Sequence, residues 1–257
     1  MTQPMTAYLP AGAEELAGTR LLCFHHAGGG ASTFQEWQQE LGPGVAVLPV
    51  LLPGRERRAG EQRFTRMDAL VADLDRSLGP LLDEAPYAFY GHSMGAIVAY
   101  NLTLRRAARG RSLPFRLMVG AYPAPHLLAP ITEALELTDD QLARWMVDIG
   151  GMSEVVLAYP DWVKAALDLL RDDLLVCQSH ELPGDRPLAC PIDVFAGADD
   201  PLLPLARVSG WAEHSTVNCR LHTMPGGHFF IQESSSVFLR TLASLLSRRP
   251  SRYLGAG

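Results

Sequence analysis

Apolar and polar positions along the chain follow two different periods. Short apolar runs bounded by turn residues read as strands: residues 20–24, 45–52, 87–90, 117–121 and 191–196; residues 220–223 are strand-like as well. Pro53-Gly54 ends the second of these. Between the runs the period changes to that of a helix. Leu70, Val71, Leu74, Leu78 and Leu81 fall on one face over residues 67–82. Residues 96–102 read as a helix after the third strand, and residues 230–246 as a closing helix. Alternating strand and helix predicts an α/β fold with a mostly parallel sheet flanked by helices. No internal repeat or second domain interrupts residues 1–257, so a single domain is expected.

One stretch breaks the alternation. Residues 125 to about 185 lie between two strands, yet their pattern is helical. Thr138 and Gln141 form a capping box, followed by Leu142, Trp145, Met146 and Ile149 at helical spacing. Gly150-Gly151 stops that helix. Asp161 is placed to cap the next one, which carries Val163, Ala166, Leu167, Leu170 and Leu174. An inserted helical segment here reads as a lid whose apolar faces line an acyl-chain channel; ordinary packing onto the sheet is the competing reading for each residue.

Composition narrows the setting. Hydrophobic residues make up 47% of the 257 and charged residues 19%, a balance that argues against disorder. No apolar run is long enough to span a bilayer, and residues 1–18 show no signal-peptide pattern, so a cytoplasmic protein without membrane attachment is expected. Cys23, Cys177, Cys190 and Cys219 have neither metal nor redox spacing, and Cys23 and Cys219 are expected to be buried. The net charge of −6 argues against nucleic acid as a partner. Arginines nevertheless cluster at Arg55, Arg57, Arg58, Arg63 and Arg66, and at Arg105, Arg106, Arg109 and Arg111. They read as solvated faces, with docking of an acidic protein as the alternative. Nothing calls for an obligate oligomer, and a monomer is the expectation.

Chemistry concentrates at Gly91-His92-Ser93-Met94-Gly95. This G-x-S-x-G stretch sits between a strand run and a helix run, where a serine hydroxyl projects above the sheet. Such a pentapeptide also arises by chance; the strand–turn–helix context is what makes Ser93 a nucleophile candidate. A serine needs a base, and the base needs an orienting carboxylate. In this chain order the base is His228, in Pro225-Gly226-Gly227-His228-Phe229-Phe230. The carboxylate belongs in the loop Gly197-Ala198-Asp199-Asp200-Pro201, where Asp200 is preferred and Asp199 is the alternative. An oxyanion hole would draw on the Met94 N–H and on Ala27 in the glycine-rich loop His25-His26-Ala27-Gly28-Gly29-Gly30. That loop lacks phosphate-binding spacing. Adjacent His25 and His26 would point to opposite sides of a strand-like chain, so no metal is expected.

Taken together, these stretches resemble the type II thioesterases, stand-alone editing hydrolases of polyketide synthase and nonribosomal peptide synthetase systems, in the α/β-hydrolase superfamily. The resemblance runs from about residue 19 to about residue 248. It rests on Cys23-Phe24-His25-His26-Ala27-Gly28-Gly29, Leu52-Pro53-Gly54-Arg55-Glu56-Arg57, Gly91-His92-Ser93-Met94-Gly95, Gly150-Gly151, Arg171-Asp172-Asp173-Leu174, Trp211 and the segment around His228. It implies hydrolysis of acyl thioesters on the phosphopantetheine arm of acyl or peptidyl carrier proteins. It also implies Ser93, Asp200 and His228 as catalytic residues and Ala27 and Met94 as oxyanion donors. No cofactor is implied, since the phosphopantetheine belongs to the substrate. His25 departs from the proline usual at that position. A general esterase, lipase or peptidase on the same fold is the alternative, and a binding module without activity a further one.

Overall fold

The structure is a computed structural model that describes residues 6–9, 19–182, 184 and 187–247. The signal-peptide expectation for residues 1–18 therefore falls mostly outside the described residues. The elements run β1 (Thr19–Phe24), α1 (Trp37–Leu41), β2 (Val45–Val50), α2 (Met67–Glu84), β3 (Tyr87–His92), α3 (Met94–Ala108), β4 (Arg116–Gly120), α4 (Asp139–Asp148), α5 (Pro160–Gln178), β5 (Ile192–Gly197), β6 (Cys219–Met224), α6 (Phe230–Glu233) and α7 (Ser235–Leu246). The six strands form one sheet in the order β2-β1-β3-β4-β5-β6, and every neighbouring pair is parallel. Parallel neighbours need crossovers, which the helices supply.

The two-residue period of a strand sorts side chains between two layers. On β1, Leu22 and Phe24 join a core with residues of α2, α3 and α5, including Leu74, Ile97 and Leu174. Leu21 and Cys23 face the other way, into a core with Trp37 of α1 and Phe238 and Leu242 of α7. The central strand β3 is buried along its whole length, as expected for a strand covered on both faces.

Four expectations are corrected. The closing helix breaks at Ser234 (φ −129°, ψ 37°) into α6 and α7. Three consecutive serines there offer the backbone competing hydrogen bonds, which lowers helix preference. Asp161 does not cap α5; Pro160 takes the first helical position and Asp161 lies in the first turn beside the helix's positive end. Cys219 is half-buried rather than buried. The arginine clusters are solvated only in part: Arg57, Arg66, Arg109 and Arg111 are exposed, the rest are not. Arg55, Arg58 and Arg106 are buried and paired with Asp173, with Glu61, and with Asp75 and Asp83 respectively. Arg63, Arg66, Arg105, Arg109 and Arg111 also pair with carboxylates, and Arg57 donates to the carbonyls of Ala7 and Leu9.

Between β4 and β5 the chain is largely helical. A 3-10 turn over Pro130–Glu136 is followed by α4, a second 3-10 turn over Glu154–Ala158, and α5. The Thr138–Gln141 capping box forms with both reciprocal hydrogen bonds. Among the described residues no helix is long and apolar enough to cross a membrane.

Candidate active site

The chemistry-bearing loops all leave the carboxyl ends of strands, where open α/β sheets hold their ligands. Ser93 follows β3, the 197–201 loop follows β5, His228 follows β6, and the His25–Gly30 loop follows β1.

Ser93 sits at the turn from β3 into α3 with φ 52° and ψ −119°, a region that non-glycine residues rarely enter. Its N–H donates to the Gly120 carbonyl at 2.7 Å, and its carbonyl accepts from Ala96 N–H at 2.8 Å. Close approach makes this turn possible. A Cβ on Gly91 would run into the Gly95 backbone, and a Cβ on Gly95 into the Phe24 and His25 carbonyls. The glycines thus press α3 against the ends of β3 and β1.

The serine meets its expected partners. His228 Nε2 lies 3.1 Å from Ser93 Oγ, and His228 Nδ1 lies 2.8 Å from Asp200 Oδ2. The carboxylate can only accept, so Nδ1 carries the proton and Nε2 is left to accept the serine hydroxyl. All three residues are buried. The other Asp200 oxygen accepts from Leu202 N–H at 2.8 Å, which fixes the carboxylate's orientation. Asp199 is exposed in the turn; its N–H donates to the Gly226 carbonyl at 3.0 Å, joining the two loops.

Around His228, the neighbouring His25, His26 and His92 are held neutral. His92 Nε2–H donates to the His228 carbonyl at 2.8 Å, so its Nδ1 accepts from Tyr90 O–H at 3.0 Å. Burial, then the proximity of His228 and His26, keeps the His92 pKa well below the usual histidine range. His26 packs edge-on against Phe229, with ring centroids 4.9 Å apart. Burial first, then His228 and Arg55, lower its pKa to about 4. Burial also takes His25 well below its ordinary value. A proton arriving at His228 therefore meets no second imidazolium beside it. Sequence reasoning gave His92 and His26 no role here; only their proximity in space reveals one.

Among the described residues the expected oxyanion donors have no protein acceptors of their own. Met94 opens α3, and the first amides of a helix lack partners within it. In the glycine-rich loop, Gly28 N–H donates to Asp173 and Gly29 N–H to the His26 carbonyl, whereas Ala27 N–H has no acceptor among the described residues. A narrow cleft lies at Ser93 and His228. Its walls are Ala121, Tyr122 and Pro123 after β4, Ala129, Pro130 and Ile131 before and within the first 3-10 turn, and Leu202 and Leu203. Phe229, next to His228, packs against Gly150 and Gly151 at the end of α4.

Comparison with known proteins agrees with this geometry. The thioesterase domain family matches residues 19–246. The chain is 32% identical over 227 residues to the gramicidin S biosynthesis protein GrsT of Aneurinibacillus migulanus, covering 88% of each. RedJ, a thioesterase from the prodiginine biosynthetic pathway in Streptomyces coelicolor, superposes with a TM-score of 0.84 at 34% identity, over 90% of this chain and 91% of RedJ. The type II thioesterase BorB from the borrelidin biosynthetic cluster gives 0.80 at 32% identity, over 90% of this chain and 93% of BorB. The chain belongs to the thioesterase domain family, as an acyl-thioester hydrolase of the α/β-hydrolase fold.

Proposed function

We propose that this protein is a type II editing thioesterase. It would hydrolyse acyl thioesters from the phosphopantetheine arm of acyl or peptidyl carrier proteins and so clear aberrant or stalled groups during polyketide or nonribosomal peptide synthesis. The observation that carries the reading is the buried hydrogen-bonded chain from Asp200 through His228 to Ser93, at 2.8 and 3.1 Å. The names of GrsT, RedJ and BorB support the biosynthetic setting. Four free cysteines suit a reducing compartment, in keeping with action in the cytoplasm.

In the proposed mechanism Ser93 Oγ attacks the thioester carbonyl while His228 Nε2 takes its proton. Asp200 holds the imidazole in the right tautomer and stabilises the imidazolium. The oxyanion is received by the Ala27 and Met94 amides, beside the positive end of α3. His228 then returns the proton to the departing thiol. Water, activated by the same imidazole, releases the acyl group from Ser93. The residues perform these steps without a metal or cofactor, and the phosphopantetheine arrives with the substrate.

The free space in the cleft, about 10 Å³, holds little more than a water molecule, so the walls must part before any acyl group enters. The helical segment over it acts as a lid. Acyl entry requires the 3-10 turn over Pro130–Glu136 to move away from Leu202 and Leu203. Rapid quenching of the enzyme with an acyl carrier protein bearing a radiolabelled short acyl group tests the reading. Label is expected on Ser93 before free acid accumulates. Turnover with no Ser93 adduct, retained in Ser93→Ala, would contradict it.

A further inference from the structure

Three stretches that mark the resemblance converge at one place, and two of them, around Arg55 and Asp173, have no part in the mechanism above. Arg55, in the segment after β2, makes a two-pronged ion pair with Asp173 of α5: Nη1 to Oδ2 at 2.7 Å and Nη2 to Oδ1 at 2.8 Å. Both side chains are buried, 5% and 3% exposed. Each partner also holds the glycine-rich loop. Asp173 Oδ2 accepts from Gly28 N–H at 2.8 Å, and Arg55 Nη1 donates to the Gly29 carbonyl at 3.0 Å. Gly28 is in the left-handed region, φ 76°, and a Cβ there would face Leu170 of α5 at 3.6 Å.

We infer that the Arg55–Asp173 pair is a positioning clamp that sets the Ala27 amide for the oxyanion and makes the oxyanion hole depend on the placement of α5. The inference rests on the reading of Ala27 as an oxyanion donor. The geometry carries it in three ways. The clamp fixes the amide and the carbonyl on the C-terminal side of Ala27, within two residues of it. A two-pronged arginine–carboxylate pair fixes direction as well as distance. Asp173 stands on the helical segment between β4 and β5, whereas Ala27 follows β1, so the clamp joins that segment to the reacting centre. A displacement of α5 that breaks the Gly28 contact would release the loop. Attack by Ser93 would then lose one of its two donors, and chemistry would be restricted to the arrangement in which α5 is seated.

The test removes the pair without leaving a buried charge. Asp173→Ala alone strands the Arg55 guanidinium and invites misfolding. The double variant Arg55→Met, Asp173→Leu replaces both with apolar groups, a change often neutral for stability. On a small acyl thioester its kcat is expected to fall about 10²-fold, the scale of a lost oxyanion donor, with KM nearly unchanged. An alkyl boronic acid, which forms a tetrahedral adduct on the serine, should lose affinity by a similar factor. A non-hydrolysable thioether analogue should bind as it does to wild type. A folded double variant with wild-type kcat and boronate affinity would overturn the clamp. A wild-type enzyme that does not bind the boronate would overturn the underlying reading instead, so the two failures are distinct. The wild-type protein supplies a second measurement. Boronate binding is expected to slow amide hydrogen exchange at Gly28 and across residues 170–177 together; protection of the loop with α5 unchanged would overturn the coupling.

Discussion

Ser93 and Ala27 face the same reacting centre in the proposed mechanism, but different means hold them. The Ser93 turn is a local construction: β3 leads in, α3 leads out, and glycines two residues to either side let the backbones touch. Its turn is made within the stretch Gly91–Gly95 and is seated on the Gly120 carbonyl and the end of β1. The Ala27 loop has no such self-sufficiency. Its shape depends on Arg55 and on Asp173, the latter 145 positions from Gly28 along the chain. A site assembled this way can keep its nucleophile permanently placed while leaving its oxyanion donor responsive to the helices above it.

The most severe way to probe the comparison is at the rigid side. Ser93→Ala is expected to lower kcat by about 10⁵-fold or more with an unchanged thermal melt, and His228→Ala by a similar amount. Asp200→Asn should cost about 10⁴-fold, because the wrong imidazole tautomer would face Ser93. Asp199→Asn, on an exposed turn side chain, should change kcat by less than about twofold. The reverse ranking would assign the orienting role to Asp199. Both variants are read by steady-state kinetics on one thioester substrate. These losses exceed the about 10²-fold expected for the clamp double variant, as a donor shifted is a smaller defect than a nucleophile removed.

Acid sharpens the contrast in another way. The folded His26 pKa of about 4 lies below the ordinary value near 6.5. Above pH 6.5 the folded and unfolded chains are both neutral at this position. Between 6.5 and 4 the unfolded chain takes up a proton that the fold refuses, so stability falls as pH falls. The loss from His26 should reach about 2 kcal/mol between pH 7 and pH 5, and His25 and His92 act with the same sign. Denaturant titrations of wild type and His26→Gln at the two pH values measure it. An equal pH dependence in the variant would remove His26 from the account. The smallest expected effect lies in the insert: Thr138→Ala removes one capping bond of α4 and should cost about 1 kcal/mol, without loss of kcat.

What the sequence made legible follows the same division. Ser93 announces itself because its requirements are local: an apolar strand, two glycines and a helix start. The sheet is legible for the same reason, each buried strand being an apolar run. The two aspartates of the 197–201 loop are adjacent and chemically identical, so only the fold could separate them, by burying Asp200 against His228 and leaving Asp199 in solvent. Arg55 and Arg106 lie in arginine-rich stretches that resemble solvated surface. Their partners Asp173, Asp75 and Asp83 are distant in sequence, and no local pattern reveals such pairs. The break at Ser234 was hidden by apolar residues on both sides of it that keep helical spacing.

The central claim is that this triad serves thioesters carried on a partner protein. Its most direct test is hydrolysis of a panel of acyl groups, short to medium in length, each presented on a phosphopantetheinylated carrier protein and on a small thiol, with Ser93→Ala as control. The account predicts Ser93-dependent release that is faster from the carrier protein at each acyl length. Equal or faster release from the small thiol would contradict it and indicate a general hydrolase.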